Sequence, residues 1–286
     1  MDAGVTTYQR LKSSAKTARI VSFCVLVAAA VFTLFPFAWV VIGSFKDNVD
    51  IFERPFGLPR VWHAQNYVDA WTVGKIGAYF LNSLLVSVVS VVGAALFAAM
   101  ASFALARFRF KLNFLVYSFF IMGLMIPWAS NLLPLFLLLK RLALNNTLAA
   151  LILPYVSFEL PMGILITTSF LKSMPGELEE AAIIDGCSSW GVFWKVVAPL
   201  AQPALATVAV LTFLDVWNEY LFALVFLNNP AVFTLPLGLA LFRTAKVQHY
   251  GLVMAGVVIS IIPVMAIYVC LQKFVIRGIT AGAVKS

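Results

Sequence analysis

Few residues in this chain have the type and spacing to do chemistry. Asp215, Asn218 and Glu219 recur at i, i+3 and i+4, the spacing that sets side chains on one helix face, inside an apolar run. Glu159 stands alone in the interior of another apolar run. Carboxylates and amides in such runs line solute or ion pathways, or else they hydrogen-bond neighbouring helices, and both roles are open for these four. Trp217 and Tyr220 flank the polar face; their rings suit the faces of a sugar and suit anchoring at a membrane interface equally well. No comparable set exists for catalysis. His63 and His249 are far apart, and the chain has no G-x-x-x-x-G-K-S/T, no nucleophile elbow and no H-E-x-x-H. Cys24, Cys187 and Cys270 have neither metal-ligand spacing nor a paired framework and read as small hydrophobes. The sequence therefore offers no catalytic residue, no metal site and no cofactor of its own.

The elements that must carry these residues are membrane spans. Hydrophobic residues make up 62% of the 286 and charged residues 11%, against about 45–50% and about 25% in soluble domains. Too little polar surface remains to face water on all sides, so the chain is an integral membrane protein of all-α class. The formal charge of +8 fits basic residues held near an anionic leaflet. No long basic run or known module supports nucleic-acid binding. Residues 1–19 form a polar N-terminal segment. Ile20 to Gly43 is apolar apart from Ser22 and Thr33 and runs well past the about 7–15 residues of a signal-peptide core, so the reading is an uncleaved first span. Within a transmembrane domain of residues 20–286, six spans are expected at about 20–43, 79–105, 112–139, 148–171, 203–227 and 251–274. Pro127 and Pro134 interrupt the third, while Pro161 lies in the interior of the fourth and Pro263 in the middle of the sixth. Arg10, Lys12, Lys16 and Arg19 before the first span, and Arg107, Arg109 and Lys111 after the second, argue that both termini are cytoplasmic.

A polar island interrupts this pattern at residues 174–200. Pro175 can open a helix, and Glu177, Glu179 and Glu180 place negative charge at its positive end. Leu178, Ala181, Ala182 and Asp185 follow on one stripe, and Gly186 supplies a stop. Ser188 or Ser189 can cap a second helix, on which Trp190, Phe193, Trp194 and Val197 repeat at helical spacing until Pro199. Two short helices joined by a glycine corner at the cytoplasmic surface read as a docking element for another protein.

The island resembles the EAA loop of permease subunits in binding-protein-dependent ABC importers. That pattern is E-A-A, three residues, G, nine residues, then I-x-L-P. Here Glu180-Ala181-Ala182 is followed by Gly186 and then by Val196, Ala198 and Pro199 at the same spacing, with Ala198 departing from the usual leucine. Asn82-Ser83, the Arg107-to-Lys111 run, Leu144-Asn-Asn-Thr147 and Trp217-Asn-Glu-Tyr220 extend the likeness along the chain, toward the second permease subunit of maltose- and glycerol-phosphate-type systems. The resemblance implies a type I ABC importer permease fold in the cell membrane. It also implies a heterodimer with a second permease, two copies of a cytoplasmic ATPase that binds ATP and Mg, and an extracytoplasmic solute-binding protein. Glu180, Ala181, Ala182, Asp185, Gly186 and Pro199 would couple the permease to the ATPase. Glu159, Asp215, Trp217, Asn218, Glu219 and Tyr220 would be candidates for the path of a sugar or sugar-like solute. The alternatives are a non-sugar solute, such as an amino acid or phosphate ester, and an ion-coupled secondary transporter, which would leave the island unexplained.

Overall fold

The computed structural model describes residues 2–242 and 249–283, with side chains over 19–241 and 249–270; part of the 228–250 loop and the C-terminal Lys285 fall outside the described residues. Every regular element among the described residues is helical. Four helices are long and apolar enough to cross a membrane, and the number is up to six if each of two sharply bent helix pairs counts as one span.

Two compact units divide the chain. The first contains α1 (Asp2–Gly43), α2 (Asn48–Glu53), α3 (Gln65–Trp71) and the opening turns of the last helix. Asp47 caps α2 by accepting from the Asp50 amide at 2.8 Å. Asn66 Nδ2 donates to the carbonyls of Ser44 and Lys46, which closes the turn after α1. The side chains of α1 from Ile20 to Phe37 are exposed, as expected of a span whose neighbours are lipid or another chain.

The second unit is built on α4 (Ile76–Arg107) and α7 (Ala149–Ser173). They pack along their length through the small residues the sequence places there. Ala94 and Ala98 are fully buried, and a Cβ added at Gly163 would lie 2.8 Å from Ala98 Cβ. α11 (Gln202–Asn218) completes the core against both.

The expected third span is broken. α5 (Asn113–Met122) and α6 (Leu132–Arg141) belong to a pair bent by 95°. Pro127 restricts the residue before it, and Ile126 is accordingly extended at φ −89, ψ 112. Short 3-10 turns at Gly123–Met125 and Trp128–Asn131 flank the break. The expected fifth span is divided as well. α11 stops at Asn218, Glu219 is extended at ψ 130, and α12 (Leu221–Phe226) restarts the chain. At 17 residues α11 is about 26 Å long, slightly short of the bilayer core. α13 (Leu235–Phe242) and α14 (Tyr250–Ala283) follow.

The island folds as α8 (Glu177–Ile184), α9 (Ser189–Val192), a π-helical turn (Phe193–Val197) and α10 (Ala198–Leu200). A 72° bend then leads into α11.

Candidate functional site

Gly186 makes the corner of the island. Its φ is +84, a left-handed conformation that only glycine adopts freely, and an added Cβ would meet nothing within 4 Å. Within this chain the glycine answers a backbone conformation and not crowding. Gly186 N donates to Ile183 O and Cys187 N to Ala182 O, which closes the end of α8. Of the two candidate caps for the next helix it is Ser188 that serves, accepting from the Gly191 amide at 3.3 Å. Pro175 lies outside α8, whose N-cap is Gly176.

The two stripes expected on the island are each divided. Ala182 packs against a buried cluster of Ala99, Leu171, Val192, Phe193, Val197 and Ala201, whereas Ala181 and Asp185 are exposed. Phe193 and Val197 are buried, whereas Trp190 and Trp194, on the adjoining side of the helix, are exposed. One face of the loop thus holds the bundle. The other presents Glu180, Ala181, Asp185, Gly186 and Ile184, the last 85% exposed.

An ion pair fixes the loop to the end of α4. Arg107 Nε donates to Glu179 Oε1 at 2.8 Å, with the two side chains 16% and 12% exposed, and the Arg107 guanidinium also reaches Met174 O at 3.4 and 3.5 Å. The three glutamates of the first turn therefore differ. Glu179 turns inward to Arg107, and Glu177 and Glu180 are exposed with no ion pair among the described residues.

The second polar region lies where α11 ends. A cavity of about 640 Å³ is lined by Trp128, Leu214, Asp215, Asn218 and Glu219. Asp215 and Asn218 are exposed. Glu219 borders the cavity too, but not as the i+4 partner on a continuous helix. Its Oε1 accepts from Phe222 N at 2.7 Å and its Oε2 from Ala223 N at 3.3 Å, so it satisfies the first amides of α12. The Tyr155 hydroxyl also donates to Glu219 Oε2.

The remaining path candidates lie elsewhere. Glu159, 4% exposed, accepts from Thr212 Oγ1 at 3.0 Å between α7 and α11. Trp217 is 2% exposed, stacks on Phe213 with ring centres 5.3 Å apart, and donates Nε1–H to Ser260 O at 3.1 Å. Tyr220 is exposed at the head of α12 and does not line the cavity. The aromatic ring that does line it is Trp128, which sequence reading missed. It is stacked at 5.0 Å on Phe158, at the break beside Pro127. The proline was the available signal, since irregular backbone at membrane depth is tolerated only where it is buried in protein or lines a cavity.

Other motif residues are staples. Asn146, at φ 63, accepts on Oδ1 from Asn228 N and Asn229 N, and its own N–H donates to Phe226 O. Asn82 Nδ2 donates to Ala231 O and Phe233 O at 3.0 Å, and Ser83 Oγ accepts from Leu235 N at 2.8 Å. These bonds fix the turns that carry the chain from α12 to α13.

The family model described as "Binding-protein-dependent transport system inner membrane component" matches residues 92–281. A probable ABC transporter permease protein of Bacillus subtilis is 39% identical over 92% of this chain and 86% of its own length. The permease protein of a diacetylchitobiose uptake system from Streptomyces coelicolor is 35% identical over 94% and 90%. That of an arabinooligosaccharide transport system from Halalkalibacterium halodurans is 34% identical over 94% and 99%. Among solved structures, a chain of a bacterial ABC transporter involved in the import of the acidic polysaccharide alginate superposes with a TM-score of 0.79. The match covers 91% of this chain and 97% of that one at 24% identity, so the two chains share a fold.

Proposed function

This chain belongs to the family of inner membrane components of binding-protein-dependent transport systems, and from that membership we propose that it forms half of the translocation path of an ATP-driven importer for a sugar or oligosaccharide. The observation that carries the sugar assignment is the near-full-length likeness to permeases of diacetylchitobiose and arabinooligosaccharide systems. The cavity at the end of α11 supports it, since Trp128 offers a flat apolar face and Asp215 and Asn218 offer hydroxyl partners.

In this reading the chain binds no nucleotide. A second permease completes the path, a solute-binding protein delivers the sugar from outside, and two copies of an ATPase bind ATP and Mg on the cytoplasmic side. The exposed face of residues 174–200 is the ATPase contact: Glu180 as a charged contact, Ala181 and Asp185 beside it, Gly186 as the bend, and Pro199 near the junction with α11. Ala182 and Glu179 transmit motion inward, through the apolar cluster and through Arg107. Rigid-body displacement of a packed loop is a known way to couple two sites.

The test is reconstitution of the chain with its permease, ATPase and binding-protein partners in vesicles. Uptake that requires ATP and the binding protein, with labelled oligosaccharides taken up and amino acids and glycerol phosphate refused, is the expected result. Uptake driven by an ion gradient without ATP would overturn it.

A further inference from the structure

The run after α4 forms a basic pocket that neither the loop nor the sugar path uses. Its volume is about 610 Å³, and Arg109, Lys111 and Lys172 line it. All three are exposed, and none has an ion pair among the described residues. Arg107 also borders it, but Glu179 already neutralises that charge. Lys172 lies 5.1 Å from the centre of the Tyr117 ring, which steadies the ammonium without offsetting its charge. The turn is built, not loose: Asn113 Nδ2 donates to the carbonyls of Leu105 and Phe108, each at 3.1 Å.

The pocket lies where two spans end. Arg107 is the last residue of α4, and Lys172 is in the last turn of α7. Exposed Phe108 and Phe110 adjoin the cations, and exposed Leu112, Phe114 and Leu115 continue the apolar surface along α5. A ligand that fits both halves has an anionic head and an apolar tail. We propose that Arg109, Lys111 and Lys172 bind the phosphate of an anionic phospholipid, with the acyl chains lying along the outer face of α5. A free phosphate would use the cations and leave the apolar surface uncovered. Basic pockets between spans are known to take such headgroups.

The test is native mass spectrometry of the full chain from micelles supplied with phosphatidylglycerol or phosphatidylcholine. The expected result is selective retention of phosphatidylglycerol, weakened about fivefold for each cation removed in R109A/K111A and in K172A. K140A/R141A, which removes two charges in the last turn of α6, serves as the control and retains the lipid. Lys111→Arg preserves retention, which separates loss of charge from misfolding. Equal retention of the two lipids, or an equal loss in the control, would overturn the proposal. Displacement of the lipid by inorganic phosphate alone would also overturn it, assigning the pocket to a soluble anion.

Discussion

Arg107 and Glu179 form a 2.8 Å ion pair that ties the last residue of α4 to the first turn of α8. The chain separates them by 72 residues. Both side chains are mostly shielded from water, so each depends on the other more than a surface pair would. In the proposed coupling, a force on the loop has a polar route into α4 beside the apolar route through Phe193 and Ala182.

Arg107→Ala is expected to insert and assemble normally but to lose most ATP-driven uptake in vesicles. The double charge swap Arg107→Glu with Glu179→Arg should recover part of it. A single variant that transports at the wild-type rate would remove the polar route from the coupling.

Gly186→Leu should abolish uptake while leaving membrane insertion intact. A left-handed non-glycine residue costs roughly 1–2 kcal/mol. The site is sterically open in this chain, and asparagine adopts the conformation more readily. Gly186→Asn should therefore retain measurable uptake. If asparagine is as damaging as leucine, contact with the partner sets the requirement and not the backbone.

Glu180→Lys should weaken association with the proposed ATPase partner, because Glu180 is exposed and has no ion pair among the described residues. Glu179→Gln acts inside the permease and should leave that association nearly unchanged. Pull-down of the ATPase by the two variants distinguishes these outcomes.

Glu219→Ala removes an acceptor for two amides and for Tyr155. Hydrogen bonds to a charged group contribute about 1.5–3 kcal/mol, so a loss of that order in thermal stability is expected. Asp215→Asn, at an exposed position, should leave stability unchanged and alter uptake. Melting and transport measured on the same preparations check both.

Trp128→Ala should raise the KM for sugar uptake roughly fivefold, the equivalent of about 1 kcal/mol of lost ring contact. Trp217→Phe should instead lower stability, because its N–H pairs with Ser260 O inside the bundle. If Trp217→Phe changed KM without changing stability, the assignment of the two tryptophans would be reversed.

The sequence by itself determined the all-helical membrane class, the positions of α4 and α7, and the glycine corner after Glu180-Ala181-Ala182. Those features follow from local quantities: apolar run length, helical periodicity and the conformational demand of one residue. Tertiary structure alone decided where polar atoms meet. Tyr155 and Glu219 are 64 residues apart, and Asn146 and Asn228 are 82 apart, so no local pattern pairs them. Polar atoms inside a bilayer must find partners within protein. The break after Asn218 leaves the first amides of α12 without intrahelical partners, and Glu219 accepts from two of them, while Trp217 turns inward to Ser260 O. Tertiary structure left Trp128, beside a proline break, as the aromatic face of the cavity.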